Sequence, residues 1–286
     1  MLLLGFGMGM GFWLGSDCEC LRGLLKEDLR KLNGTNRCVD CNLRGVNLQG
    51  KNLVGAILTG ADLRSANLRE ANLNGANLMG THLNGTDLTR SSLEDANMKG
   101  ASLLNAQMSW ANLNGANLQG ANLSGARLVG ASLDDANLTK AYLNNTNLTR
   151  AKLRRANLSD ANANSIVLRK ATLVGANLTG ARLVLASLAG ANLTKTNLEG
   201  TYLLRADLTS ATFDSAIMNE TRMDEANLRG ANLSNATLQR ADFHMANLAA
   251  TNLKGAKHFN TVGIQDAIFC GTIMPNGSTN NTGCSQ

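Results

Sequence analysis

The chain has a single proline, Pro275, and aromatic residues make up only 3% of its 286 positions. With no proline before residue 275, nothing in the body of the chain forces a break in a regular backbone. So few aromatics exclude the successive stacking rings that hold single-stranded nucleic acid. Histidine is scarce too: His82, His244 and His258 are far apart, and no nucleophile–base–acid set, phosphate loop or metal motif accompanies them. The chain therefore reads as no enzyme, and no metal or cofactor is expected. No apolar run reaches the roughly 18 to 20 residues that span a bilayer, so stable membrane insertion is not expected. An acidic excess is also missing, since 27 Lys and Arg against 21 Asp and Glu give a formal charge of +6.

What the chain has instead is a period. From Cys41 to Leu253 a leucine-centred block of five residues repeats without an insertion, as in Ala111-Asn112-Leu113-Asn114-Gly115. Of 43 centres 36 are Leu, the others being Met98, Met108, Ala163, Phe213, Met218, Met223 and Phe243. Two residues before each centre, 31 of the 43 positions are Ala, and most of the rest are Thr or Ser.

Five residues fit neither regular element. A helix turns about 100° per residue, so centres five apart scatter around the rod and leave no buried stripe. A flat strand alternates with period two, and an odd repeat would flip the leucine in every block. The chain must turn a corner in each block, keeping Ala and Leu inward and the other three positions outward. Glycine is common two residues after the centre, as at Gly115, Gly120, Gly125 and Gly130, where the corner calls for positive φ.

A small residue, Asn or Asp, Leu and two variable positions resemble the pentapeptide-repeat family over about three quarters of the chain. The resemblance implies an all-β fold, a right-handed quadrilateral β-helix with four blocks per coil. Charges support the four. Outward positions 20 apart then stack on neighbouring coils. Six such pairs are opposite (Glu70/Arg90, Asp134/Arg154, Asp135/Arg155, Lys140/Asp160, Arg205/Glu225, Glu220/Arg240) and two are alike, whereas a spacing of 15 gives four of each. Seven asparagines from Asn77 to Asn197 share one column at this spacing, able to bond along the stack or back to the corners. Inside, Ile166 is placed to fill the volume that Ala163 leaves.

The ends differ from the body. Residues 1–16 carry no charged side chain and have the length of a signal-peptide hydrophobic region, although the usual basic start is absent. Residues 17–37 place Leu21, Leu24, Leu25, Leu29 and Leu32 on one helical face, a short amphipathic α-helix to cap the first coil. The β-helix follows over 38–269, and a cap or tail over 270–286. The register slips by one residue near Lys254 to Lys257 and resumes with centres at Phe259, Ile264, Phe269 and Met274. The total is about 11 to 12 coils.

All six cysteines lie at these ends. An even count in an exported chain points to staples, with Cys270–Cys284 and Cys38–Cys41 as the favoured pairs. Unpaired cysteines, or a four-cysteine zinc knot using Cys18 and Cys20, are the alternatives. The tail and the Cys38–Cys41 segment also resemble secreted cyanobacterial members of the family and their thylakoid-lumen relatives in plants. That resemblance implies export to a periplasm or thylakoid lumen.

Two surfaces stand out. Tyr142, Arg182, Tyr202 and Arg222 occupy outward positions on the side that begins with Leu43, with Val184, Leu185, Leu204 and Met245 near them. An apolar and aromatic patch rimmed by arginines fits an unknown protein partner, and a simple cation–π ladder is the competing reading. The adjacent side gathers Arg69, Arg90, Arg127, Arg150, Arg169, Lys170 and Arg229 around Trp110, with Glu70, Asp87 and Asp207 among them. It reads as a solvated face or one for an anionic protein or lipid surface. Some family members imitate the DNA duplex and occupy DNA gyrase. Such a cytoplasmic, nucleic-acid-related module needs an acidic rod, which the net charge disfavours, so the chain reads as a rigid interaction or structural rod.

Overall fold

The structure is a computed structural model that describes the backbone of residues 16–284 and the side chains from Leu25 onward. Its body is a stack of four-sided coils. Parallel bridges join residues 20 apart without exception from Arg37–Ile57 to Asp242–Val262, so four blocks close one coil.

The block from Asn117 to Ala121 shows why the sequence repeats as it does, because all five of its N–H groups are accounted for. Asn117 N donates to Ala96 O of the preceding coil, at 2.9 Å, while Leu118 N and Gly120 N donate to Asn137 O and Thr139 O of the next, at 2.7 and 3.0 Å. Ala121 N closes the corner on Leu118 O at 3.0 Å. The remaining donor, Gln119 N, faces away from both coils and is taken by the side-chain oxygen of Asn117, at 3.1 Å. Asn or Asp precedes the centre for this reason. The short amide or carboxylate reaches the N–H two residues on and replaces a backbone partner.

All seven asparagines of the Asn77–Asn197 column bond back to their corners in this way. Only Asn117 Nδ2 to Asn97 Oδ1, at 3.4 Å, runs along that stack. Where another residue precedes the centre, an Asn or Asp one coil earlier can supply the oxygen. Asn84 serves Leu104 N past Ser102, Asp134 serves Arg154 N past Lys152, and Asn164 serves Val184 N past Arg182.

The corner residue two after the centre has φ near +60° throughout, whether Gly120 at 64° or Asn145 at 57°. Positive φ at the second turn residue alone is the signature of a type II turn. The expectation of left-handed corners therefore holds for glycine and for other residues alike.

Inward positions are sealed. The leucine centres and alanines from Ala56 to Leu253 are buried in one continuous core, as are the Met and Phe centres. Ala163 and Ile166 are both buried, so the larger side chain stands at the small-residue site next to the missing leucine. Threonines at alanine sites are fully buried too; most of their hydroxyls donate to carbonyls of the preceding coil, as Thr146 to Leu123 O at 2.9 Å and Thr201 to Leu178 O at 2.8 Å, while Thr81 donates to Leu78 O of its own corner.

At the start, helix α1 (Ser16–Thr35) runs into the first coil. Leu32 is buried in the core, Leu25 and Leu29 pack against it, and Asp28 Oδ2 accepts from Asn42 N at 2.8 Å. Cys38 stands at a centre and Cys41 at an alanine site, both inward, with their sulfurs at bonding distance and Cα atoms 5.3 Å apart. The side chains of Cys18 and Cys20, and the leader up to residue 15, lie outside the described residues.

The other end corrects one expectation. Lys257 and Val262 still pair at a spacing of 20, with Thr237 and Asp242; the spacing becomes 21 only at Asn247–Ile268 and Asn252–Ile273. The extra residue enters in the 3-10 turn Ile264–Asp266, not near Lys254. Phe259 and Ile264 are consequently not centres, although both pack partly against the core; Phe269 and Met274 are at centre positions. The chain ends in a short antiparallel hairpin, β1 (Thr272–Ile273) with β2 (Thr279–Asn280), which lies over the edge of the last coil. Cys284 returns to Cys270, again at bonding distance with Cα atoms 4.8 Å apart.

Candidate interaction face

Because the coil is 20 residues, every outward side chain stands in a column with those 20 before and after it. On the side that begins with Leu43 one column contains Tyr142, Asn162, Arg182, Tyr202 and Arg222. Arg182 and Arg222 approach the Tyr202 ring from the coils on either side, with guanidinium carbons 5.3 and 5.8 Å from its centroid. Such a sandwich uses the negative face of the ring. It leaves both arginines exposed and Tyr202 half-buried between them.

The patch is less continuous than the sequence implies. Asn162 separates Tyr142 from Arg182, and Tyr142 stands alone, 51% exposed. Leu185 and Met245, each 58% exposed, share a corner column but are divided by Arg205 and Glu225. Those two close an ion pair at 2.8 Å. The Arg205 hydrogen bond lowers the Glu225 pKa below the usual carboxylate range. A lowered carboxylate pKa contributes stability above the unfolded value that fades as pH falls through the folded one, so this tie is present at neutral pH and lost in acid. Val184 and Leu204, on the coils of Arg182 and Tyr202, are only half exposed.

Beside the stack, Asp224 Oδ1 is 3.7 Å from Arg222 Nη2, while its Oδ2 is buried without a hydrogen-bond partner. The arrangement is a stacked Arg–Tyr–Arg centre flanked by separate apolar knobs. Two of those knobs, Leu185 and Met245, hold φ of 60° and 52°, a conformation that bulky residues rarely adopt. Sequence reasoning found the stack and the knobs. It missed Asp224, which no composition signal marks.

Five of the six opposite-charge pairs expected across coils are made, from Asp135–Arg155 at 2.6 Å to Glu70–Arg90 at 4.0 Å; Lys140 and Asp160 are not in contact. Asp28, Cys38 and Cys41 are the one trio of metal-ligating side chains found close together among the described residues. Both sulfurs there face each other as a cystine pair. At the far end, a shallow hollow lined by Arg229, Asn247, Ala249, Ile268, Cys270 and Cys284 contains no acid–base pair.

Four-block coils, type II corners and a leucine-filled interior define a β-solenoid of pentapeptide repeats. The family model for pentapeptide repeats matches in eight copies, over 37–75, 76–115, 116–155, 151–188, 186–224 and 216–255. The chain belongs to this family, and its solenoid is a right-handed β-helix.

Among solved structures it is similar to HetL, a pentapeptide repeat protein involved in heterocyst differentiation regulation from Nostoc sp. strain PCC 7120. The identity is 32% over 89% of this chain and 98% of that one, with a TM-score of 0.32. Rfr23 from the cyanobacterium Cyanothece 51142 is 34% identical over 43% of this chain and 93% of its own, with a TM-score of 0.35. A pentapeptide repeat protein of the Arabidopsis thaliana thylakoid lumen is 30% identical over 40% of this chain and 70% of its own, with a TM-score of 0.17. Membership therefore rests on the repeat sequence and not on superposition. No curated protein matches the chain.

Proposed function

We propose that the protein is an exported, non-enzymatic rod that binds a protein partner through the face around Tyr202. The observation that carries the reading is the composition of that face. Tyr and Arg are the residues most enriched where protein interfaces concentrate their energy, and large apolar side chains exposed at strained corners cost stability that a structural rod does not require.

Export is supported by the charge-free segment 1–16, by cystine pairs placed at the two ends, and by the likeness to a lumenal relative. No helix of the described residues is long and apolar enough to cross a membrane. In this reading α1 serves as the N-terminal cap and the hairpin with its cystine as the C-terminal one.

The test is cross-linking mass spectrometry on tagged protein fractionated from its own cells, comparing wild type with Tyr202→Ser/Leu204→Ser. Loss of the cross-linked partner is expected with little change in melting, because outward ladder contacts contribute only about 0.2 to 1 kcal/mol each. A lowered melting temperature with unchanged cross-links would reduce the Arg–Tyr–Arg stack to a cation–π ladder and remove the face from consideration.

A further inference from the structure

The adjacent side, which begins with Leu48, carries a second feature that the Tyr202 face does not use. From Thr89 to Gly190 its outward positions include Arg90, Arg127, Arg150, Arg169 and Lys170 and not one acid. Arg127, Arg150, Arg169 and Lys170 are exposed, and none makes an ion pair among the described residues. They are close neighbours: Arg150 N donates to Arg169 O at 2.9 Å, which sets Arg150 and Lys170 one strand apart with like charges adjacent. Around the next corner, Asp134 and Asp135 are already engaged by Arg154 and Arg155, and Glu94 and Asp95 are exposed only at the start of the stretch.

Trp110 lies in the same corner column. Its ring covers Gly130 on the next coil so closely that a Cβ there would sit 2.5 Å from Cε3 and Cζ3. The indole is thus laid against the rod in a space that only glycine leaves open, yet it remains 58% exposed. Its own φ is 62°, the left-handed region that bulky residues avoid. Beyond its cover of Gly130, nothing buries this strained tryptophan, and the unpaired Arg127 and Arg150 follow on the coils beyond it.

We infer that this side is a docking surface for an anionic lipid bilayer, with Trp110 as its interfacial anchor. Three features select a bilayer over other polyanions. The columns repeat at one strand spacing on one side of the rod, so the cations of successive coils face the same way and can meet a planar leaflet together. Tryptophan is the side chain suited to headgroup depth, where its apolar body and polar N–H are both satisfied. Single-stranded nucleic acid, by contrast, is gripped by successive rings, and this side has one. Attraction of basic residues to an anionic surface then sets the orientation, leaving the Tyr202 side around the corner free.

The test uses the full chain with Trp13→Phe, which leaves Trp110 as the sole tryptophan reporter. It is titrated with vesicles of phosphatidylcholine, with or without about one third phosphatidylglycerol. The expected result is a blue shift of Trp110 emission with the anionic vesicles and none with the neutral ones. Arg150→Glu/Lys170→Glu, with unchanged melting, is expected to weaken the anionic binding by at least about thirtyfold. Trp110→Ser is expected to weaken vesicle flotation without altering the salt dependence. No shift with anionic vesicles, an equal shift with neutral ones, or unimpaired binding by the charge-reversed variant would overturn the inference. A shift produced by oligothymidylate and not by vesicles would overturn it too and reassign the side to nucleic acid.

Discussion

Leu148→Asp is expected to destabilise the rod by about 4 kcal/mol or more, whereas Asn145→Asp, three residues away, is expected to cost about 0.5 kcal/mol or less. Leu148 is fully buried at a centre, stacked between the buried centres Leu128 and Leu168 of the neighbouring coils, where a carboxylate would have no charged partner. Asn145 is an exposed corner residue with φ of 57°, a conformation that aspartate tolerates as well as asparagine does. Because each coil touches only its neighbours, the damage should concentrate in the middle of the stack. Denaturant unfolding measures the two costs, and limited proteolysis should cut Leu148→Asp near the substitution first. Equal shifts for the two variants would refute the inward and outward assignment on which every face described above depends.

Opening the Cys270–Cys284 pair is expected to cost about 3 kcal/mol, the loop-closure value for a loop of this size. The pair closes a separation of 14 residues and holds the hairpin over the last coil, where Phe269 N donates to Thr282 O at 3.0 Å. Without it the parallel edge at Asn252 and Ile273 loses its cover, and unfolding should begin from that end. Non-reducing peptide mapping of protein from its native compartment is expected to recover the Cys270–Cys284 peptide, and Cys270→Ser/Cys284→Ser to melt earlier. A complete set of free thiols in the native protein would contradict both the staple and the export reading.

The repeat was legible because inward positions leave no choice. Leucine and alanine recur wherever burial requires them, and charges 20 apart already favoured the coil size that the bridges show. The reason for asparagine before the centre was only partly legible. Sequence alone admits bonds along the stack or back to the corner, and the choice follows from the one N–H that neither neighbouring coil can reach, as at Gln119. The C-terminal slip was misplaced because Phe259 and Ile264 imitate centres in their spacing, while the backbone register is kept by Lys257 and Val262, which have no centre-like character. At the Tyr202 face the columns gave the right neighbours but not how the side chains fold over. The Arg205–Glu225 tie was among the pairs expected 20 apart, whereas the orphaned oxygen of Asp224 comes only from that folding over.

The central claim is that 20 residues make one coil, so that each outward residue is fixed to one side of the rod. Pulsed electron–electron distances between spin labels at exposed positions of one column test it directly, in a chain with Cys18 and Cys20 replaced by serine. Labels at Lys99 and Glu199 should be separated by about 24 Å, and labels at Lys99 and Gln239 by about 34 Å, one strand spacing for each 20 residues. Separations that grow as one strand spacing for each 15 or 25 residues would contradict the four-sided coil and, with it, the faces built on it.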